Sequence, residues 1–220
     1  MVDFTQARRT MVDSQLRTFD VNDIPLLDAM DHVPRENFVL PGREQLAYSD
    51  QELPVSDGAD RRFMLAPMVL ARMVQALEVN PGDKVLDLAC GRGYSSAILS
   101  ELGARVTALE SEQGLAAAAR KALAAAGCED VAVESGHLAE GFAPAAPYDA
   151  VLVNGAIEVK PEALLRQLKD GGRLVCVMGG GRSGRATLYV RSGDAWGERS
   201  LFDAAAPVLA GFKAKPGFVF

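Results

Sequence analysis

From about residue 82 to residue 178 the chain alternates short apolar runs with stretches whose apolar positions recur every three or four residues. Lys84 to Leu88 reads as a strand. It is followed by the small-residue loop Ala89-Cys90-Gly91-Arg92-Gly93 and a helix from Tyr94 to about Leu102 that Gly103 can terminate. A second strand, Arg105 to Leu109, ends in Glu110. Ser111 then offers an N-cap to an alanine-rich helix with Leu115, Ala119, Ala122 and Ala126 on one face, closed by Gly127. Val131 to Glu134, Ala150 to Val153 and Leu174 to Met178 supply further short strands, the last two separated by a helix begun by Pro161 and stopped at Gly171-Gly172. Units of this kind wind right-handed into an open sheet covered on both faces. Thr187 to Arg191 and the stretch around Leu201 to Ala206 are candidates for late strands, one of them an antiparallel edge. The first 80 residues are helical in pieces, with Leu70, Val74 and Leu77 on one apolar stripe. The expected architecture is α/β: a doubly wound, mostly parallel sheet in residues 81–220, with residues 1–80 packed on it as a helical elaboration, forming one compact unit.

Composition narrows this picture little. The 220 residues are 49% hydrophobic and 24% charged, which excludes a disordered or collagen-like chain. The net charge of −6 gives no global electrostatic support for a nucleic-acid partner. No apolar run approaches the roughly 18 residues of a membrane span. The opening segment is too charged for a signal sequence, so the expectation is a cytoplasmic protein without membrane association. Cys90, Cys128 and Cys176 have neither disulfide-framework nor metal-ligand spacing and read as reduced thiols, two of them buried, with no metal expected.

The central loop carries the chemistry. In open α/β sheets ligands sit beyond the carboxyl ends of the strands, where Asp87, Gly91, Gly93 and Glu110 all map. A dinucleotide fingerprint would have glycine at position 96, which is Ser here, and a carboxylate just before the loop is ill suited to a diphosphate. Asp87 suits a cationic ligand instead. S-adenosylmethionine carries a sulfonium and an ammonium, and Glu110 can accept hydrogen bonds from its ribose hydroxyls. Each residue singly could be a turn glycine or a strand-end acid; their common register on successive strand ends favours a ligand site.

The chain resembles the protein-L-isoaspartate O-methyltransferases. The matching segments are Met11-Val12-x-x-Gln15-Leu16-Arg17, Ala29-Met30-x-x-Val33-Pro34-Arg35-x-x-Phe38-Val39 and Ala47-Tyr48-x-Asp50-x-x-Leu53-Pro54-Val55. They continue through Val85 to Tyr94, Pro147-Tyr148-Asp149 and Gln167-Leu168-Lys169-x-Gly171-Gly172-Arg173-Leu174-Val175, so that about the first 180 residues follow the family in order. The resemblance implies a seven-stranded Rossmann-like methyltransferase fold, S-adenosylmethionine as donor, and abnormal aspartyl carboxylates of a protein or peptide as acceptor. The donor set it implies is Asp87, Ala89, Cys90, Gly91, Gly93, Tyr94, Glu110, Ser111, Gly136, His137 and Asn154. The catalytic residue is unassigned: aligning on Pro67 lays Arg61, Arg62, Phe63, Met64 and Leu65 across the family's substrate segment and puts Leu65 at its Ser position.

Two further departures accompany this one. His137 stands where the family has the Asp that recognises the adenine end, and Ala89 replaces the first glycine of the loop, a larger cost if its φ is positive. Methyl transfer to a carboxylate already ionised at pH 7 needs no general base, so loss of the Ser bears on recognition more than on transfer. Arg61 and Arg62 read either as a clamp on an acceptor carboxylate or as a solvated loop after Asp57-Gly58-Ala59-Asp60. Met64, Met68 and Met73 read as packing residues, and Trp196 as a hairpin aromatic. The expected activity is therefore carboxyl methylation by an enzyme of this kind. The competing reading is a donor-binding regulatory protein, or a methyltransferase with a changed acceptor, since the acceptor segment is rewritten.

Overall fold

The computed structural model describes residues 2–57 and 61–214. Helix α1 (Phe4–Met11) is capped by Asp3, whose carboxylate accepts from the Gln6 amide, and α2 (Ile24–His32) is capped in the same way by Asp23. The two-residue strands β1 (Leu53–Pro54) and β2 (Phe63–Met64) pair antiparallel as a small hairpin that was not foreseen from the sequence pattern. Helix α3 (Pro67–Leu77) buries Leu70, Val74 and Leu77, the expected stripe. Then follow β3 (Lys84–Leu88), α4 (Tyr94–Glu101), β4 (Arg105–Glu110), α5 (Gln113–Ala125), β5 (Ala132–Ser135), β6 (Tyr148–Ile157), the single turn α6 (Glu162–Leu165), β7 (Leu168–Met178), β8 (Arg185–Ser192) and β9 (Ala195–Asp203).

Strands β3 to β9 form one seven-stranded sheet in the order β5-β4-β3-β6-β7-β8-β9. The first five in that order are parallel; β8 pairs antiparallel with β7, and β9 pairs antiparallel with β8 to complete a terminal hairpin. Strand order reverses between β3 and β6, which places the ligand crevice of an open α/β sheet at their carboxyl ends. Side-chain alternation along β3 divides the core. Val85 joins the cluster that contains α3, α4 and the N-terminal helices, while Leu86 and Leu88 join Leu164, Leu165 and Phe212 on the opposite face.

The structure corrects three expectations about the elements. The helix expected between Pro161 and Gly171 is only the turn Glu162–Leu165, and Gly171-Gly172 lie within β7. The register of β6 against β7 jumps from Tyr148↔Leu168 to Ala150↔Arg173. A side chain at Gly172 would come within 2.9 Å of the Lys169 carbonyl and 3.0 Å of the Tyr148 carbonyl, so these glycines form a bulge rather than a helix stop. Ser111 does not cap α5; Glu112 holds that position, and the Ser111 hydroxyl is engaged elsewhere. All three cysteines are buried, rather than two. Met64 and Met73 are core residues, as expected, and Trp196 of β9 donates its indole N–H to the Leu165 carbonyl at 3.2 Å.

Candidate active site

The loop after β3 is shaped by left-handed backbone. Gly91 has φ 58°, Gly93 has φ 94°, and Ala89, where the Cβ carries a steric cost, has φ 58°. The larger of the two costs foreseen for Ala89 is therefore the one that applies. Its amide and that of Cys90 both donate to the Leu109 carbonyl, at 2.9 and 3.3 Å, tying the loop to the end of β4. A side chain at position 93 would meet Leu123 of α5 at 3.0 Å, and one at position 91 would meet Val55 of the hairpin at 3.1 Å. Both glycines thus permit close packing as well as positive φ.

Asp87 and Glu110 stand at the ends of the adjacent strands β3 and β4, and both are completely buried. Asp87 Oδ2 accepts from the hydroxyls of Ser95 (2.7 Å) and Ser96 (2.5 Å) in the first turn of α4, and Oδ1 accepts from the Asn154 amide (2.6 Å) across the strand reversal. Burial raises its pKa to about 6, against the opposing effect of these three donors, and the charge of Glu110 adds to the rise. No cation is among these hydrogen-bond partners. A buried carboxylate held this way is complementary to an ammonium or sulfonium.

Glu110 Oε2 accepts from the Gly91 amide at 3.1 Å. Oε1 accepts from the Ser111 amide at 2.7 Å and from Arg62 Nε at 3.2 Å, while Arg62 Nη2 donates to the Ser111 hydroxyl at 2.6 Å. The structure thus separates the arginine pair. Arg61 is exposed, whereas Arg62 is buried in an ion pair with the carboxylate expected to hold the ribose, so for Arg62 neither the acceptor clamp nor the solvated loop describes its position.

Ala89, Cys90, Gly91, Tyr94 and Asn154 line a small cavity with Phe63, Met64 and Leu65, so the donor loop and the acceptor segment share one space. Burial pushes the Cys90 thiol well above its ordinary pKa, with the charges of Asp87 and Glu110 in the same direction, which makes it a packing residue rather than a nucleophile. Gly136 follows β5, and its amide donates to the Glu110 backbone carbonyl at 3.1 Å. His137 is exposed at the start of the next turn.

Arg35, Ser95 and Ser96 organise the site without having been expected there. Arg35 is fully buried, donates from Nε to the Ala47 carbonyl and from Nη2 to the Leu65 carbonyl, each at 2.7 Å, and lies over the Tyr94 ring at 4.7 Å. It fixes Leu65, in the acceptor segment, against the first residue of α4. In the sequence it is marked only by the Val33-Pro34-Arg35 segment that matches the family. Among the described residues, no group of three or more His, Cys, Asp or Glu side chains could hold a metal ion. No helix there is long and apolar enough to cross a membrane.

Known proteins resemble this chain in sequence and in fold. The model of the protein-L-isoaspartate(D-aspartate) O-methyltransferase family matches residues 7–202. A protein-L-isoaspartate O-methyltransferase of Roseiflexus castenholzii is 36% identical over 211 residues, covering 96% of this chain and 95% of the relative. One from Methylorubrum populi is 43% identical over 174 residues, covering 79% and 80%. Among solved structures, a protein-L-isoaspartate O-methyltransferase superposes with a TM-score of 0.83 at 23% identity, covering 93% of this chain and 66% of its own. A Plasmodium falciparum structure described as a beta-aspartate methyltransferase in complex with S-adenosyl-L-homocysteine superposes with a TM-score of 0.78 at 17% identity, covering 92% and 97%. These two structural likenesses concern the fold.

Proposed function

Because the chain belongs to the protein-L-isoaspartate(D-aspartate) O-methyltransferase family, we propose that the crevice between the β3 loop and the β1–β2 hairpin methylates the carboxylate of an isoaspartyl residue in a protein or peptide. S-adenosylmethionine supplies the methyl group, carried on a sulfonium. The chain's residues fit it: Asp87 offers a buried carboxylate to its cationic end, Glu110 offers an acceptor to its ribose, and Gly91 and Gly93 keep side chains away from the loop backbone. Tyr94, Ser111, Asn154, Gly136 and His137 complete the proposed donor surface.

The observation that carries this reading is that Asp87 and Glu110 are buried at the ends of the neighbouring strands β3 and β4, and that the loop between them, through Ala89, Cys90 and Gly91, lines one cavity with Phe63, Met64 and Leu65. The acceptor is already an anion at pH 7, so the residues here need to align it with the methyl carbon rather than remove a proton. The buried apolar wall of Met64 and Leu65 excludes water from the reacting atoms. Titration of S-adenosylhomocysteine into Arg62→Gln and into the same variant with Glu110→Ala added tests the donor assignment, because Arg62 pairs with Glu110 and would otherwise be released by the same change. The double variant is expected to bind about tenfold more weakly or worse, from loss of the hydroxyl acceptor. Equal affinity would place the ribose elsewhere.

A further inference from the structure

Glu110 already has protein donors on both carboxylate oxygens. Its Oε1 takes hydrogen bonds from the Ser111 amide and from Arg62 Nε, with the Ser111 hydroxyl at 3.3 Å, and its Oε2 takes the Gly91 amide. A carboxylate has about four lone-pair positions, and the Ser111 and Gly91 amides together with the two hydroxyls of a ribose would fill them, leaving none for the guanidinium. Arg62 is not an incidental neighbour. Its amide donates to the buried Ser56 hydroxyl at 2.8 Å, its carbonyl accepts from the Val55 amide at 2.9 Å, and Val55 lies against Gly91. The two backbone bonds of Arg62 close the hairpin on itself, and it is fastened over the donor loop at two places, by Arg62 on Glu110 and Ser111 and by Val55 against Gly91; the cavity left beneath it is about 10 Å³, near the size of one water.

We propose that Arg62 is a latch that competes with the donor's ribose hydroxyls for Glu110, so that donor binding requires the hairpin to release the carboxylate. The strands it joins run directly into Phe63, Met64 and Leu65, so the same movement sets the acceptor segment. Donor and acceptor are thereby ordered: the donor takes Glu110 first, and the acceptor pocket takes its working shape afterwards. The physical basis is that a ligand's apparent affinity is reduced by the fraction of molecules in the open form. The ion pair holds that fraction low, because a buried carboxylate that loses its partner needs a replacement, and ribose hydroxyls provide one.

This proposal rests on the assignment of the donor to Glu110, and the test separates the two. Calorimetric titration of S-adenosylhomocysteine is carried out on the unaltered protein, on Arg62→Gln and on Ser56→Ala, which loosens the hairpin without touching Glu110. About tenfold tighter binding is expected for Arg62→Gln and about threefold for Ser56→Ala, with faster association in stopped flow. If Arg62→Gln does not fold, Ser56→Ala carries the test alone. Unchanged or weaker binding by the folded variants, with the unaltered protein binding normally, would overturn the latch and leave the donor assignment standing. Absence of binding by all three would overturn both.

Discussion

Asn154, near the carboxyl half of β6, donates its side-chain amide to Asp87 Oδ1 of β3 at 2.6 Å, across the point where strand order reverses. With the Ser95 and Ser96 hydroxyls it holds a completely buried carboxyl whose pKa burial has raised from 3.8 to about 6. Three neutral donors thereby hold the strand-end acid to which the proposed function assigns the cationic end of the donor.

A pH dependence follows. The folded pKa lies above the unfolded one, so the native state retains the extra proton between about pH 4 and pH 6. Asp87's contribution to stability is present in full below pH 4 and is lost as pH rises through 6, on the order of 3 kcal/mol in total. Chemical denaturation from pH 4 to pH 7 should show this component, and Asp87→Asn should remove it. A cationic donor favours the ionised form, so S-adenosylmethionine affinity should rise from pH 5 to pH 7, with proton release detected by calorimetry in buffers of different ionisation enthalpy. Binding without proton release near pH 6 would separate the donor from Asp87.

Leu65 is the site of the largest departure from the family's substrate segment, yet its side chain is buried and its carbonyl is fixed by Arg35. Leu65→Ser should lower stability by about 2–4 kcal/mol through lost burial and a cavity. Isoaspartyl methylation should change by less than about threefold, because an ionised acceptor needs alignment rather than a base. Thermal unfolding and a peptide assay on the same preparation check both. A gain of tenfold or more in activity would mean that a hydroxyl at this position is what the site lacks.

Arg35 bridges two carbonyls, Ala47 and Leu65, and stacks on Tyr94. Lysine has no planar fork, so Arg35→Lys should leave one carbonyl unpaired and cost about 3 kcal/mol, readable as a shift in the denaturant midpoint. An unfolding free energy within about 0.5 kcal/mol of the unaltered protein's would show that the bridge is dispensable.

Much of this was legible in the sequence because it is local. The parallel strands, the loop from Ala89 to Gly93 and the strand-end positions of Asp87 and Glu110 follow from apolar runs and glycine placement within βα units. The hairpin of Leu53–Pro54 with Phe63–Met64 was not legible, since strands of two residues carry no period. The extension of β7 through Gly171-Gly172 was hidden for a different reason: a glycine pair reads as a helix stop until the Tyr148 carbonyl is seen against it. Contacts between distant segments were the least accessible. Arg62 and Glu110 lie 48 positions apart, and nothing in the local composition of either shows that one will occupy the other.

The most direct test is transfer of labelled methyl groups from S-adenosylmethionine to a peptide containing one isoaspartyl residue, with the aspartyl peptide of the same sequence as control. Label should enter the isoaspartyl peptide only, be released by mild base as expected of a methyl ester, and fall by about tenfold or more at subsaturating donor when Glu110→Ala is added to Arg62→Gln. Donor binding without any label in the isoaspartyl peptide would contradict the proposed acceptor.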